Sequence, residues 1–528
     1  MGRANRDIVL DAGCARWGWG WDGPSLGRMT ASDLLADLLR ANYTTDAVLD
    51  LIGELGQAGL GRNSTIPADV ALAGRMDPLP CLVRLFILQQ CVPLAAAAQA
   101  LDVHAAAHAE WVAIDGDQVR ALVDIRPYGS PDDGASGFLV SDLTPGMDQQ
   151  STPTRADYVL GASPASLTLA QITMRESVGR ALDLGTGCGV QSLHLVRHAD
   201  DVVATDLNPR ALHLARLSAD LSGAAIDYRE GSLFDPVADE EFDLIVSNPP
   251  YVMSPPEGTR LTYREGDLVA DGLVEAIVRA APHHLRPGGS LQLLTNWAVL
   301  EGVAWEDRLR GWVEGTGLDC WVIERERLDV FSYIEMWLTD AGLAGSQDWE
   351  PAYRRWLQYF AGLGITEVGM GWLLLTASGR AQPHLRFESW PHAVAQPVGG
   401  VFARHHAAVD AATLPLAELL ASRPRLGDVV QETIGEPGAE DPTHVVLRQR
   451  TGLLRAIRVG TADGAVLGAL DGELTLGQVI AAVASVLSLD AAEVAAQVVP
   501  VVRDALLDQL LLPGTGVDRA SSTPAGVG

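Results

Sequence analysis

Three short stretches bring together residue types that could do chemistry. The first, ALDLGTGCGV at residues 181–190, ends an apolar run on Gly185, Gly187 and Gly189, with Asp183 two positions before the first glycine. The second, VVATDLNPRAL at 202–212, ends an apolar run on Asp206. The third, FDLIVSNPPYV at 242–252, ends one on Asn248, Pro249, Pro250 and Tyr251. Glycines permit a tight turn and let a ligand approach the backbone. Asp206 follows at about the 20-residue distance at which an acid meets a ribose in doubly wound nucleotide sites. One carboxylate can accept from both ribose hydroxyls. Two prolines stiffen the backbone and remove two N–H groups, which leaves the Pro249 carbonyl and the Asn248 side-chain oxygen to accept from an NH₂ group. Two acceptors that draw its hydrogens out of plane would localise a lone pair that an amide or aromatic amine delocalises. Tyr251 offers a flat face for such a planar group. The order reads as a site that holds an adenosyl cofactor and presents a planar nitrogen to it.

Each stretch also has a plainer reading. The glycines could be only a tight turn. Their Gly-x-Gly-x-Gly spacing departs from the dinucleotide fingerprint, with Val190 where a third glycine would stand. Asp183 would repel a pyrophosphate but suits the ammonium of a methionine moiety. Asp206 could be a helix cap beside Asn208 and Pro209. Asn248 to Tyr251 could be a rigid loop with an exposed aromatic.

Elements that would position these residues follow from the pattern. The apolar runs at 181–184, 202–204 and 242–246 read as buried parallel strands, whose carboxyl ends are where open α/β sheets bind ligands. A fifth strand is expected at 291–294, after the Pro287-Gly288-Gly289 turn, with Asn296 and Trp297 at its end. Trp297 either walls the substrate pocket or packs in the core. Residues 320–323 and 371–376 suit the last two strands, an antiparallel pair. Between them, 329–359 reads as helical and aromatic, a stripe that suits core or interface. Residues 263–267 and the helix after Asp267 are expected to flank the acceptor site.

In this order the three stretches resemble class I S-adenosylmethionine-dependent methyltransferases of the Asn-Pro-Pro-Tyr type. That group includes glutamine N-methyltransferases of release factors and ribosomal proteins, adenine-N6 methyltransferases and guanine-N2 methyltransferases of ribosomal RNA. The resemblance covers about residues 158–379. The segment YVLGASPASLTLA at 158–170 is also similar to the pre-loop segment of the guanine and glutamine enzymes, and the whole chain resembles long actinobacterial members with extra domains at both ends. The resemblance implies an α/β fold with a Rossmann-like seven-stranded sheet and S-adenosyl-L-methionine as cofactor. It implies cofactor contacts at Asp183, Gly185, Thr186, Gly187, Gly189, Asp206, Leu207, Ser232, Leu233 and Asn248. It implies Asn248, Pro249 and Tyr251 as catalytic residues, with Tyr251 and Trp297 meeting the substrate. One departure stands out: the Gly-Asp that often follows the third strand is Gly231-Ser232 here, which puts an acid on the adenine amino group in doubt.

The chain has 528 residues, 48% apolar, with a net charge of −29. This suits a globular protein of several domains and weighs against a sequence-independent nucleic-acid binder. The five cysteines (Cys14, Cys81, Cys91, Cys188 and Cys320) are scattered, which fits a reducing, cytoplasmic setting rather than zinc or disulfides. No apolar run is long enough for a membrane helix, and the N-terminus lacks the apolar stretch of a signal peptide. Residues 1–28, with Trp17, Trp19 and Trp21, read as a poorly ordered lead-in, an edge strand or a partner-binding tag. A helical N-terminal domain is expected over 29–110, a small β-layer over 111–157, and the methyltransferase domain over 158–380. His104 and His108, at i and i+4, have no third ligand nearby, so a helix face is expected and no metal. After a boundary at 380–397, residues 397–513 read as a winged-helix-like module, weakly similar to precursor-peptide recognition domains. It contains an acidic turn at 435–443 and a Thr475-x-x-Gln478 capping box. Its Arg448, Arg450, Arg455 and Arg458 could meet RNA or an acidic peptide, or form a solvated face. Residues 514–528 read as a disordered tail. The functional expectation is N-methylation of a planar nitrogen in a protein or peptide, glutamine first. The alternatives are an RNA base amine, or a scaffold that binds the cofactor without catalysis.

Overall fold

The computed structural model describes residues 30–150, 154–256, 268–436 and 444–514. The tryptophan lead-in, residues 263–267, most of the acidic turn and the tail beyond 514 lie outside the described residues. Eight strands form the central sheet: β1 (Val178–Leu184), β2 (Ala199–Asp206), β3 (Asp227–Glu230), β4 (Phe242–Ser247), β5 (Leu285–Leu300), β6 (Asp319–Asp329), β7 (Ile365–Thr376) and β8 (Leu385–Ser389). Their order is β8-β6-β7-β5-β4-β1-β2-β3. The pairs from β5 through to β3 are parallel, whereas β7 runs antiparallel to both β5 and β6. The sheet therefore has the expected mixed α/β form with one strand more than the seven expected. That strand, β8, pairs in parallel with residues 320–324 of β6. It is five residues long and lies between Pro383 and Pro391, so it reads as a linker until its partner is known.

Period-two alternation sorts the strands onto two core layers. Leu182, Leu184, Ile245, Leu291 and Leu293 face one layer. Ala181, Leu244 and Val246 face the other, which also holds Val401 and Phe402 of helix Gly399–Ala412. Each fully buried aliphatic side chain contributes about 1.5–3 kcal/mol. Strand order reverses beside β1, and the carboxyl ends of β1, β2 and β4 diverge there into a cleft.

Flanking regions pack onto this sheet domain. The N-terminal helices, with Leu34 and Tyr43, share one core with Phe138 of the Ser136–Ser141 strand and with Leu214, Leu217 and Leu221 of helix Pro209–Ser222. The Val140 N–H donates to Ser218 Oγ at 2.9 Å across that boundary. The C-terminal region has an antiparallel three-stranded sheet and the helices Thr461–Gly468, Leu476–Leu487 and Ala491–Leu507, with the Thr475–Gln478 capping box formed. Its arginines are not a free basic face. Arg455 is buried against Glu388 (2.5 Å) and Asp508 (3.5 Å), Arg448 pairs with Glu432 (2.9 Å), and Arg450 pairs with Asp428 (3.8 Å). No helix among the described residues is long and apolar enough to cross a membrane.

Candidate active site

The glycine loop leaves β1 and is held against β2. Gly185 and Thr186 both donate their N–H groups to the Thr205 carbonyl, each at 2.9 Å. Gly187 has φ +57° and Gly189 has φ +89°, values that L side chains adopt only under strain. The turn aims the Gly187 N–H at Asp206 Oδ2 (2.9 Å), while Asp206 Oδ1 accepts from the Asn208 N–H (2.8 Å). Burial raises the Asp206 carboxyl above its ordinary range, against the pull of these N–H donors. Asn208 caps helix Pro209–Ser222 through the Arg210 N–H, so the cap and the acid are neighbouring residues rather than one.

At the end of β4 the Ser247 hydroxyl donates to the Leu184 carbonyl at 2.6 Å, which ties β4 to β1. Asn248 follows. Its Oδ1 is buried and has no hydrogen-bond partner among the described residues. An orphaned buried acceptor costs about 1–3 kcal/mol unless a ligand satisfies it.

A cavity of about 490 Å³ opens between these loops, within the range of about 300–1,000 Å³ typical of small-molecule sites. Gly185, Thr186, Gly187, Asp206, Leu207, Ser232, Leu233, Asn248 and Pro249 all line it. These residues fit a ligand with a diol at Asp206 and a hydrogen-bearing nitrogen at Asn248. Glycine backbone lies between the two.

Four expected site residues do not line the cavity. Asp183 is 1% exposed and lies beneath the loop, where its Oδ2 accepts from the hydroxyls of Thr186 (2.7 Å) and Ser192 (2.6 Å). It holds the loop together instead of meeting an ammonium, and burial pushes its carboxyl up to about 6. Gly189 serves packing: a Cβ there would meet Ala215 at 3.3 Å. Trp297 is fully buried and stacks on Trp305, with ring centroids 5.3 Å apart, so it belongs to the core and not to a pocket wall. Tyr251 is half-buried against the same core, and burial together with the nearby Asp340 charge pushes its phenol up to about 12.

The cavity also draws on residues given no role from sequence. Tyr158, Leu160, Gly161 and Ser166 come from the pre-loop segment, whose resemblance was the available signal. Gln191 donates its amide to the Ser166 carbonyl at 2.6 Å and so fixes that segment to the glycine-loop helix. Leu268 and Leu273 complete the far wall; Leu273 belongs to helix Gly272–Ala280, the helix after Asp267 that the sequence expects to flank the acceptor site.

Residues 163–300 match the family model described as Methyltransferase small domain, and residues 40–122 match one described as Domain of unknown function (DUF7059). The chain is similar to curated release factor glutamine methyltransferases. The protein from Geobacter sulfurreducens is 35% identical over 174 residues, covering 29% of this chain and 58% of that protein. The one from Xylella fastidiosa (strain Temecula1) is 33% identical over 195 residues, covering 34% and 69%. The one from Deinococcus radiodurans is 40% identical over 215 residues, covering 37% and 76%. The chain thus spans a little over half of the first relative and more than two thirds of the other two.

Proposed function

The chain belongs to the S-adenosylmethionine-dependent methyltransferase family of these release factor glutamine methyltransferases, and from that premise we propose that it methylates the side-chain amide nitrogen of a glutamine in a protein, a release factor being the first candidate. The observation that carries this reading is Asn248 Oδ1, a buried acceptor without a partner at the end of β4. Bound S-adenosylmethionine supplies an electrophilic methyl group on a sulfonium sulfur. Asp206 would take the ribose hydroxyls, and the Gly185–Gly187 backbone would lie along the amino-acid portion. Asn248 Oδ1 and the Pro249 carbonyl would accept from the acceptor NH₂ and turn its lone pair toward the methyl. Methylation would leave the acceptor nitrogen with an extra proton, which would pass to solvent. Thr186 and Asp183 act indirectly, by keeping the loop folded.

The RNA alternative is weakened because three of the four C-terminal arginines that could serve it are paired with acids of the same chain. The scaffold alternative leaves the orphaned Asn248 oxygen without a use.

Two substitutions test the division of labour. Asn248→Ala is expected to bring turnover to background with the cofactor Kd nearly unchanged. Asp206→Ala removes a charged acceptor worth about 1.5–3 kcal/mol, so the cofactor Kd should rise by about 10- to 100-fold. Isothermal titration with S-adenosylmethionine and a methyl-transfer assay read the two separately. Near-normal turnover in Asn248→Ala would remove that residue from the chemistry, and an unchanged Kd in Asp206→Ala would remove the acid from the cofactor site.

A further inference from the structure

Beyond the cavity, β5 and β7 stay paired out to Val299 and Glu367, and β6 runs beside them to Asp329. This arm carries two helices, Val330–Asp340 and Trp349–Leu363, between β6 and β7. Asp329 starts the first by accepting from the N–H groups of Phe331 (2.8 Å) and Ser332 (2.9 Å). Because β6 runs parallel to β5, the helices emerge at the carboxyl edge of the sheet, the edge that also carries Asn248.

Each helix sends one tyrosine hydroxyl to the backbone beside the cavity. Tyr333 is fully buried, and its oxygen accepts from the Met253 N–H at 3.2 Å and from Asn296 Nδ2 at 2.9 Å. Met253 is two residues past Tyr251. The turn from Asn248 to Val252 is therefore tied at both ends, by the Ser247 hydroxyl on β1 and by Tyr333. Its two prolines give it fewer N–H groups with which to brace itself. On the opposite wall, the Tyr359 oxygen accepts from the Ala270 N–H at 3.0 Å. Ala270 lies between Leu268 and Leu273, which both line the cavity. Asp271 holds the same backbone through Arg308, with two contacts of 2.6 Å, and through the Ala298 N–H at 2.7 Å.

Packing alone does not require these hydroxyls. Tyr333 packs at a tilt against Trp356 and Phe360 in a core that also contains Val252 and Met253, and a phenylalanine ring would fill the same space. The oxygens add a directional polar tie from the aromatic helices to the two walls, on top of the apolar contact made by Val252, Met253 and Ala270.

We propose that Tyr333 and Tyr359 are positioning residues for methyl transfer, holding the Asn248–Val252 turn and the Leu268–Leu273 wall at the separation that in-line attack requires. The proposal rests on the acceptor role given above to Asn248. Reacting atoms must come within about 3–3.5 Å of each other, and a 1 Å displacement lowers the rate by about 100-fold.

Tyr333→Phe and Tyr359→Phe test it, because each removes an oxygen and keeps the ring. Three quantities are read on the full chain: amide hydrogen exchange at Met253 and Ala270, the Kd for S-adenosylmethionine, and kcat and KM with a release factor as acceptor. In Tyr333→Phe the Met253 amide is expected to exchange faster and kcat to fall by about 10- to 100-fold, with KM and cofactor Kd changed by less than about threefold. Tyr359→Phe should do the same through the Ala270 amide. A role in packing alone would lower Tm and leave kcat unchanged, and that result overturns the proposal. So does unchanged exchange at Met253 in Tyr333→Phe. If the wild-type protein leaves the release factor unmethylated, it is the acceptor reading that fails. Exchange at the two amides then decides the tie by itself: faster in the variants upholds it, unchanged overturns it.

Discussion

Asp183 and Asp206 both flank the glycine loop, yet only Asp206 reaches the cavity. Asp183 is sealed beneath the loop with two hydroxyl donors and a carboxyl pushed up to about 6 from an ordinary 3.8. Because the folded state holds this proton more tightly than the unfolded chain does, its contribution to stability is full below pH 3.8. It is lost as pH rises through 6, a change of about 3 kcal/mol. Asp183→Asn, which cannot ionise, is expected to flatten the decline in stability between pH 4 and pH 7, as read by urea unfolding across that range. An unchanged slope would mean that the carboxyl does not titrate there. Gly185, Gly187, Asp206 and Asn248 were legible as cavity residues because each stands at or just past the end of an apolar run, a local signal. Asp183 and Trp297 were misplaced because their partners, Ser192 and Trp305, are set by the fold. For Trp297 the parity was nonetheless available: it shares the odd positions of Leu291 and Leu293, and all three face one core layer.

At the scale of elements, helix Gly399–Ala412 is keyed to β6 by a histidine. His405 is 3% exposed and stacks on Trp321 at 4.2 Å, and neither ring nitrogen has a hydrogen-bond partner among the described residues. Burial, with Arg386, His384, Arg380 and His406 nearby, pushes it down to about 3. A depressed histidine favours the folded state while neutral. Its contribution is complete above pH 6.5 and is lost as pH falls toward 3, about 5 kcal/mol in all. His405→Phe keeps the stack and removes the charge, so the variant is expected to resist acid unfolding better than wild type, as followed by tryptophan fluorescence. Identical acid midpoints would show that His405 stays neutral throughout, or that the contact opens before it protonates. The strands that place the site were legible from their apolar runs. The β8 strand was not, since five residues between prolines carry no strand signal alone. The aromatic stripe at 329–359 was legible as core, but not its hydroxyl contacts, which reach Met253 across 80 residues of sequence.

The whole molecule is one catalytic sheet wrapped at both ends. The N-terminal region shares its core with helix Pro209–Ser222, which begins just past Asp206. The C-terminal region is joined to β6 and β8 through Trp321, Glu388, Arg455 and Asp508. With a net charge of −29 and its C-terminal arginines largely paired, this surface suits a protein acceptor better than a phosphate backbone. The most direct test supplies methyl-labelled S-adenosylmethionine and the purified protein to a lysate of cells that lack it, then divides the labelled material between protease and ribonuclease. Label released by protease alone, and recovered on a glutamine side chain by mass spectrometry, is the expected result. Label released by ribonuclease alone would contradict a protein acceptor.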